Sequence, residues 1–217
     1  MQFIDLGAQY ERIRDEVEAA VLRVMRGGRY IMGPEVEELE TELARFTDVE
    51  HVVSCASGTD ALVMALMAKG VGPGDAVFTP PFTFVATAEA IATVGATPVF
   101  VDVDPATFNM DPGALKAAVQ SSRELTPRAV MAVGLFGLPA DYSRLNAIAA
   151  KYGLLVIEDA AQSFGASAGN RRAGALADIG CTSFFPAKPL GCYGDGGAIF
   201  TNDADLAFIL RSIRVDG

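Results

Sequence analysis

Short apolar runs alternate with longer amphipathic stretches through most of the chain. The runs that predict buried strands are residues 51–54, 76–79, 98–103, 129–133 and 154–158. The stretches between them that predict helices are residues 61–68, 85–94, 112–120 and 141–151. Strands that alternate regularly with helices are typical of an α/β fold with a parallel, doubly wound sheet. We therefore expect a three-layer α/β/α domain whose sheet is mostly parallel.

Two amphipathic helices precede this alternation. Residues 9–26 carry apolar side chains at helical spacing, and the glycine pair 27–28 ends that pattern. Pro34 then begins a second helix, with glutamates in its first turns, where the helix dipole favours negative charge. We divide the chain accordingly into an N-terminal helical arm, residues 1–50, and a large domain, residues 51–217.

A further apolar run, residues 179–185, leads into a loop that is dense in proline and glycine. Lys188 lies in this loop, three residues after the run ends. Such loops form tight turns and allow close approach of the backbone. A lysine held there is suited to form a Schiff base, because burial or a cationic neighbour makes its amine nucleophilic at neutral pH. The alternative is a solvated surface lysine in a glycine loop.

The composition narrows the range of functions. The 217 residues carry a net charge of -10, which argues against binding of nucleic acid through its phosphate backbone. No apolar stretch reaches the roughly 18 residues of a membrane span, and the first residues lack the basic and apolar regions typical of a signal peptide, so we expect none. A single histidine and three cysteines without paired spacing argue against a metal site. We expect a cytoplasmic protein without a metal ion.

Residues with useful chemistry follow several of the predicted strands directly. Small polar residues, Ser57, Gly58 and Thr59, lie between a strand and a helix, where an anion can bind the helix N-terminus. The alternative for this segment is an ordinary helix cap. Phe84 follows a second strand, although its pattern does not distinguish it from the nearby Phe82.

The remaining candidates follow the later strands. Asp159 and Gln162 come after the run 154–158, and Lys188 comes after the run 179–185. Because ligands of open α/β sheets bind outside the carboxyl ends of the strands, we expect all these side chains to meet at one edge. An anion site, a carboxylate, an aromatic ring and an amine together suit pyridoxal phosphate, whose lysine is commonly paired with an aspartate at the ring nitrogen.

The sequence resembles the nucleotide-sugar aminotransferases of the DegT/StrS type, which are pyridoxal-phosphate enzymes of the aspartate-aminotransferase fold class. The similar segments are residues 33–35, 57–62, 80–87, 95–102, 157–162, 183–188 and 194–198. They occur in the family's order over nearly the whole chain. The resemblance implies fold type I, with a mostly parallel seven-stranded sheet between helices.

The resemblance also implies roles for individual residues. Lys188 would bind the cofactor as a Schiff base and act in catalysis, and Asp159 would face the pyridine nitrogen. Phe84 would lie on the face of the ring, and Gln162 near its hydroxyl group. The residues assigned to the phosphate group are Gly58, Thr59 and Ser183.

The activity that the resemblance implies is transfer of an amino group from an amino acid, with L-glutamate as the expected donor, to a keto sugar linked to a nucleotide. The loop around Lys188 is most similar to enzymes that aminate the 3-keto group of a UDP-linked N-acetyl hexuronic acid. Such enzymes serve the synthesis of surface polysaccharides, including the O-antigen of lipopolysaccharide. The resemblance further implies a homodimer with shared active sites and a small C-terminal domain that this chain does not include.

Three other functions stay open. The chain could be a binding or regulatory domain that keeps the fold without turnover, or it could catalyse another pyridoxal-phosphate reaction, such as a sugar dehydratase or a lyase. Dehydratase relatives carry histidine where this chain has Lys188, which favours transamination. A nicotinamide oxidoreductase is disfavoured because the glycines at residues 70–74 lack the G-x-G-x-x-G spacing.

Overall fold

The structure, a computed structural model, describes residues 4–215, so the predicted domain limits at residues 1 and 217 lie outside the described residues. The helices are α1 (Leu6–Gly27), α2 (Pro34–Thr47), α3 (Gly58–Ala68), α4 (Ala86–Thr93), α5 (Pro112–Ser121), α6 (Tyr142–Tyr152) and α7 (Ala204–Arg214). The strands are β1 (His51–Cys55), β2 (Asp75–Thr79), β3 (Thr97–Phe100), β4 (Thr126–Val133), β5 (Leu155–Asp159), β6 (Ser167–Ala168), β7 (Arg171–Arg172), β8 (Ile179–Ser183) and β9 (Gly197–Thr201).

Seven of the strands form one sheet in the order β1-β9-β8-β5-β4-β2-β3. Strands β8, β5, β4, β2 and β3 are parallel neighbours, whereas β9 is antiparallel to both β8 and β1. Strand β1 therefore runs in the same direction as the parallel strands, and β9 alone runs against them. The carboxyl ends of six strands consequently meet at one edge, which confirms the predicted mostly parallel α/β fold.

Helices cover both faces of this sheet. On one face, Leu62 of α3, Ile91 of α4 and Leu210 of α7 pack with inward-facing strand residues such as Ile157 and Ile199. On the other face, Leu115 of α5 and Leu145 of α6 pack against their own set of strand residues. Because side chains alternate along a strand, strands β2, β4 and β5 each contribute to both cores.

The two N-terminal helices differ in how they pack. Helix α1 buries none of its side chains, although apolar residues such as Val21 and Met25 lie along it. Helix α2 buries Leu43 in a small cluster with Phe200 of β9. A capping αL residue, Gly28, ends α1, as the glycine pair predicts.

The sequence pattern missed some elements and extended others. Strand β3 ends at Phe100 instead of residue 103, because its neighbour β2 ends at Thr79 before a proline pair and offers no further partner. Strand β8 ends at Ser183, and the next residue, Phe184, bonds through its N–H to the carbonyl of Gly196 at 2.7 Å. Strand β9 and the short β6–β7 hairpin were not predicted, since neither has a bounded apolar run with clear periodicity.

Candidate active site

A cavity of about 400 Å³ opens at the edge where the carboxyl ends of the parallel strands meet. Its lining includes the seven residues that the sequence predicts for the site: Gly58, Thr59, Phe84, Asp159, Gln162, Ser183 and Lys188. These residues come from four separate segments of the chain, so the sheet topology brings them together. The predicted convergence of these side chains at one edge therefore matches their placement in the fold.

The N-terminus of α3 forms one wall of the cavity. Ser57 caps this helix, since its Oγ accepts a hydrogen bond from the N–H of Asp60 at 3.0 Å. Gly58 packs directly on the end of β8, and a Cβ atom at this position would lie 2.5 Å from Cβ of Ser183. Glycine is thus required for the helix to approach the strand, and the approach places the positive end of the helix dipole at the cavity.

Asp159 lies at the floor of the cavity, at the end of β5. The residue is 6% exposed, and its Oδ2 accepts a hydrogen bond from the hydroxyl of Thr87 at 2.9 Å. Its Oδ1 accepts a second hydrogen bond from the N–H of Ala161 at 3.1 Å. Burial raises the pKa of Asp159, whereas these two donors and the positive charge of Lys188 lower it in part. A cationic ligand group beside this carboxyl would stabilise its charged form.

Lys188 reaches the cavity from the loop after β8, opposite Phe84. Its Nζ lies 5.8 Å from the centre of the Phe84 ring, and the ring is 64% exposed. Backbone hydrogen bonds hold the loop in place, because the N–H of Lys188 donates to Phe185 O at 2.8 Å and that of Cys192 to Phe184 O at 2.7 Å. The loop therefore presents the amine from a fixed position above an aromatic surface.

Gln162 closes another side of the cavity. Its Oε1 accepts a hydrogen bond from the N–H of Phe136 at 3.2 Å, so the Nε2 group of the same amide faces away from that donor. The sequence could not distinguish Phe82 from Phe84, and the structure separates them. Phe84 lines the cavity, whereas Phe82 packs edge-on against Phe108 and Phe136, with ring centres 5.8 and 6.0 Å away.

The neighbour of Asp159 in β5, Glu158, points to the opposite face of the sheet. It is fully buried, and its Oε2 accepts a hydrogen bond from the N–H of Leu176 at 2.9 Å. Burial raises the pKa of Glu158 to about 7, and backbone donors offset only part of that effect. The carboxyl pair at the end of β5 thus divides into one group at the cavity and one in the core beneath the sheet.

Three residues with polar side chains near the cavity were absent from the sequence-based prediction of the site. Thr83 and Asp195 line the cavity, and Thr87 supports Asp159 from below. The two threonines are four residues apart, with Thr83 in the bend before α4 and Thr87 in the first turn of the helix. That spacing is the signal that could have identified them, although it does not reveal which buried carboxyl they contact.

A second cavity, of about 440 Å³, lies at the opposite edge of the sheet. Its charged lining residues include Lys69 and Asp203, whose side chains form an ion pair at 3.1 Å. Asp178, also in the lining, accepts a hydrogen bond from the N–H of Val156 at 2.8 Å. These polar groups bind one another, and none of the predicted site residues lies there, so the cavity at the carboxyl edge is the candidate active site.

The fold and the arrangement of this site define the class of the protein. A mostly parallel seven-stranded sheet between helices, with a lysine, a buried aspartate and a helix N-terminus at its carboxyl edge, is the architecture of fold type I pyridoxal-phosphate transferases. The chain belongs to the DegT/DnrJ/EryC1/StrS aminotransferase family, whose profile matches residues 11–217. The predicted family and fold class are confirmed.

Individual relatives agree with this assignment. The chain is 57% identical over 219 aligned residues to the UDP-2-acetamido-2-deoxy-3-oxo-D-glucuronate aminotransferase of Pseudomonas aeruginosa, covering 100% of the chain and 59% of that protein. It is 47% identical to the UDP-N-acetyl-3-dehydro-alpha-D-glucosamine 3-aminotransferase of Acidithiobacillus ferrooxidans, covering 99% of the chain and 57% of the relative. The chain thus spans little more than half the length of these two relatives.

Solved structures show the same similarity. A DegT DnrJ EryC1 StrS aminotransferase from Brucella abortus superposes with a TM-score of 0.97 at 58% identity, covering 98% of this chain and 58% of that one. NtdA from Bacillus subtilis, solved with bound pyridoxamine phosphate (PMP), superposes with a TM-score of 0.87 at 34% identity, covering 98% and 47%. Within residues 4–215, no helix combines the length and apolar character needed to cross a membrane.

Proposed function

We propose that this chain forms the cofactor-binding domain of a pyridoxal-phosphate-dependent aminotransferase that acts on a nucleotide-linked keto sugar. The observation that carries the proposal is the meeting of Lys188, Asp159 and the N-terminus of α3 in one cavity at the carboxyl edge of the sheet. The amino donor in this proposal is L-glutamate. Family membership supports the reaction type, and the geometry of the cavity supports the cofactor.

The cavity fits a flat, phosphorylated, cationic ring on three grounds. Asp159 is a buried carboxyl whose pKa is raised by burial, so a protonated nitrogen placed beside it would stabilise its ionised form. The exposed ring of Phe84 offers a flat apolar surface for stacking. The N-terminus of α3, reached through Gly58 and Thr59, offers the backbone N–H groups and the dipole that a phosphate group prefers.

Each of the seven residues has a role in this proposal. Gly58, Thr59 and Ser183 hold the phosphate group, Phe84 packs on the ring, and Gln162 lies near the ring hydroxyl. Asp159 keeps the ring nitrogen protonated, and Lys188 binds the cofactor through its Nζ atom. When bound, pyridoxal phosphate supplies the electron sink that allows an amino group to be exchanged. Lys188 Nζ then moves a proton on the substrate side, which requires a free amine held close to the reacting carbon.

The substrate proposal is more specific than the family. We propose a 3-keto sugar linked to UDP, and within that class an N-acetyl hexuronic acid, because the relative at 57% identity carries such a substrate in its name. A second relative, at 47% identity, is named for amination at the same position of a UDP-linked sugar. The corresponding pathway would be the synthesis of surface polysaccharides such as the lipopolysaccharide O-antigen, in the cytoplasm.

We also propose a homodimer with shared active sites, an arm formed by residues 1–50 and a large domain formed by residues 51–217. Support for the arm comes from α1, which exposes apolar residues such as Val21, Leu22 and Met25. Support for shared sites comes from exposed apolar residues in the loop that carries Lys188, among them Phe185 and Tyr193. Exposed apolar patches of this kind mark interaction surfaces.

A second candidate is a regulatory domain without turnover. A relative 48% identical over 214 residues, from Geobacillus stearothermophilus, is named a pleiotropic regulatory protein. Such a protein could retain the cofactor site, so cofactor binding alone does not separate the two candidates. Formation of 2-oxoglutarate from L-glutamate does, because only the aminotransferase completes the first half of the reaction.

The experiment that tests the proposal is an absorption spectrum of the purified protein with added pyridoxal phosphate, before and after L-glutamate. Borohydride reduction and peptide mapping then identify the lysine that carries the cofactor. We expect a near-visible band that glutamate bleaches and a label on Lys188. Lys188→Ala should lose the band and all turnover while still binding pyridoxamine phosphate. Lys116→Ala, at an exposed position on α5, is the matched control.

Three results would contradict the proposal. A label on another lysine, or turnover that persists in Lys188→Ala, would remove Lys188 from its role. A band that forms on Lys188 but does not respond to L-glutamate or other amino acids would favour the regulatory candidate.

A further inference from the structure

Two threonine hydroxyls connect Asp159 to the wall of the cavity. Thr87 Oγ1 lies 2.9 Å from Asp159 Oδ2, and Thr83 Oγ1 lies 2.9 Å from Thr87 Oγ1. Thr87 is fully buried at the start of α4, whereas Thr83 is partly buried and lines the cavity. The three groups therefore form a continuous hydrogen-bonded chain from the floor of the site to its wall.

The charge of Asp159 fixes the direction of this chain. A hydroxyl group has one proton to donate, and an ionised carboxylate can only accept. When Asp159 is ionised, Thr87 must give its proton to Oδ2, and its own oxygen is then left to accept a proton from Thr83. The second carboxylate oxygen, Oδ1, already accepts from the N–H of Ala161. Each oxygen of the Asp159 carboxylate thus accepts one hydrogen bond, Oδ2 from Thr87 and Oδ1 from Ala161.

We propose that Thr87 is a positioning residue that keeps Asp159 ionised and oriented toward the cavity, and that Thr83 reinforces it by donating to Thr87. The proposal rests on the proposed function in so far as Asp159 is to face a cofactor ring. Thr87 does not line the cavity, so it acts through Asp159 and does not touch a ligand.

The physical reason is that Asp159 and Thr87 are both buried away from water. Hydrogen bonds to a charged acceptor are stronger than those between neutral groups, and their effect is largest where water is excluded. Burial raises the pKa of Asp159, and the Thr87 hydroxyl is among the groups that lower it. Without this donor, the buried carboxyl would hold its proton to higher pH and would lose the charge that a ring nitrogen requires.

Other ionisable groups also act on Asp159 and must be held constant. Lys188 approaches from the loop after β8, and its charge lowers the pKa of Asp159. Glu158 is the neighbour in β5, Cys181 belongs to β8, and Tyr142 belongs to α6; each interacts electrostatically with Asp159. None of these groups is changed by a substitution at Thr83 or Thr87.

The test measures the pKa of Asp159 directly in the cofactor-free protein, by carbon NMR of labelled aspartate carboxyls. Asp159→Asn identifies the signal. Thr87→Val removes the hydroxyl with little change in volume, and we expect it to raise the pKa of Asp159 by about one pH unit, a tenfold change in the ratio of charged to neutral carboxyl. Thr87→Ser keeps the hydroxyl and should leave the pKa close to its value in the unchanged protein.

Thr47→Val is the matched control, because Thr47 is also buried and its hydroxyl donates to Leu43 O at 2.7 Å, within α2. This control should not move the Asp159 signal. Thr83→Val removes the outer donor and should raise the pKa of Asp159 by less than Thr87→Val does. An unchanged pKa in Thr87→Val overturns the proposal. If Thr87→Val does not fold, an unchanged pKa of Asp159 in Thr83→Val overturns the proposal instead.

A second readout separates this proposal from the proposed function. Titration of each variant with pyridoxamine phosphate measures affinity, and we expect Thr87→Val to bind more weakly while Thr87→Ser does not. A changed pKa without any pyridoxamine phosphate binding, even in the unchanged protein, would support the role of Thr87 and reject the cofactor. A Thr87→Ser variant with the same loss as Thr87→Val would show that packing, not the hydroxyl, is responsible.

Discussion

Glu158 gives the protein a stability that falls as pH rises through neutrality. The carboxyl of this buried residue has its pKa raised by burial from 4.5 to about 7. In the unfolded chain the same carboxyl ionises near 4.5, so between the two values the folded state holds one more proton than the unfolded state. By linkage, the free energy of unfolding then decreases with pH, by about 1.4 kcal/mol per pH unit for one proton.

The magnitude follows from the width of this window. The difference between about 7 and 4.5 is about 2.5 pH units, so ionisation of Glu158 costs about 3 kcal/mol of stability between the two ends. The contribution is fully present below the unfolded value and is lost as pH rises through the folded value. Glu158→Gln removes the titration while keeping an oxygen that can accept from the N–H of Leu176.

The assay is urea unfolding followed by far-ultraviolet circular dichroism at a series of pH values, since the chain has no tryptophan. The quantity to compare is the free energy of unfolding of Glu158→Gln minus that of the unchanged protein. We expect this difference to grow in favour of the variant by about 3 kcal/mol from about pH 4.5 to about pH 7.5. This subtraction cancels the contributions of the other titrating groups to the free energy of unfolding. Glu89→Gln, at an exposed position on α4, is the control and should show no such pH-dependent difference.

Two curves that run parallel over this range would refute the reasoning. That result would mean that the Glu158 carboxyl ionises in the folded protein as it does in the unfolded chain, through water or a donor that reaches Oε1.

Two further predictions concern packing at the site and the attachment of α2. Gly58→Ala should destabilise the protein by about 1–3 kcal/mol in urea unfolding, because the new Cβ atom would lie 2.5 Å from Cβ of Ser183. Gly27→Ala is the control, because a Cβ atom at that position would have nothing within 4 Å. Equal unfolding midpoints for the two variants would contradict this prediction. Glu40→Gln should cost about 2 kcal/mol in urea unfolding, because it leaves Arg214, 2.5 Å away and 14% exposed, without its partner. Glu38→Gln, exposed on the same helix, is the control, and an equal effect of both would show that the ion pair contributes nothing.

The parallel part of the sheet could be predicted because its strands carry their own signal. Strands β4 and β5 are buried on both faces, so each is a nearly continuous apolar run with a helix pattern on either side. The carboxyl-edge rule then placed Asp159 and Lys188 at one edge without any knowledge of distances. Chemistry that depends on strand ends is therefore accessible from the order of elements alone.

Strand β9 shows where that reasoning stops. Its residues, Gly197–Thr201, are all buried, yet the segment follows a glycine-rich loop and its apolar run, residues 198–200, is short. It is a strand because β1 and β8 lie on either side of it and satisfy its backbone groups. One of these partners, β1, is far away in the sequence, so no local pattern indicates its pairing with β9.

The hydrogen bond from Thr87 to Asp159 could not be predicted from the sequence for a related reason. Thr83 and Thr87 have the spacing of neighbours on one helix face, but Thr87 and Asp159 are 72 residues apart in the chain. Their contact exists only because α4 packs on the face of the sheet toward which Asp159 points. The sequence thus indicated candidate groups that follow strand ends, whereas Thr87, which donates to one of them, belongs to a helix on the face of the sheet. The charge state of a buried carboxyl is consequently a property of the packing between layers, and it is there that the Thr87 substitutions act.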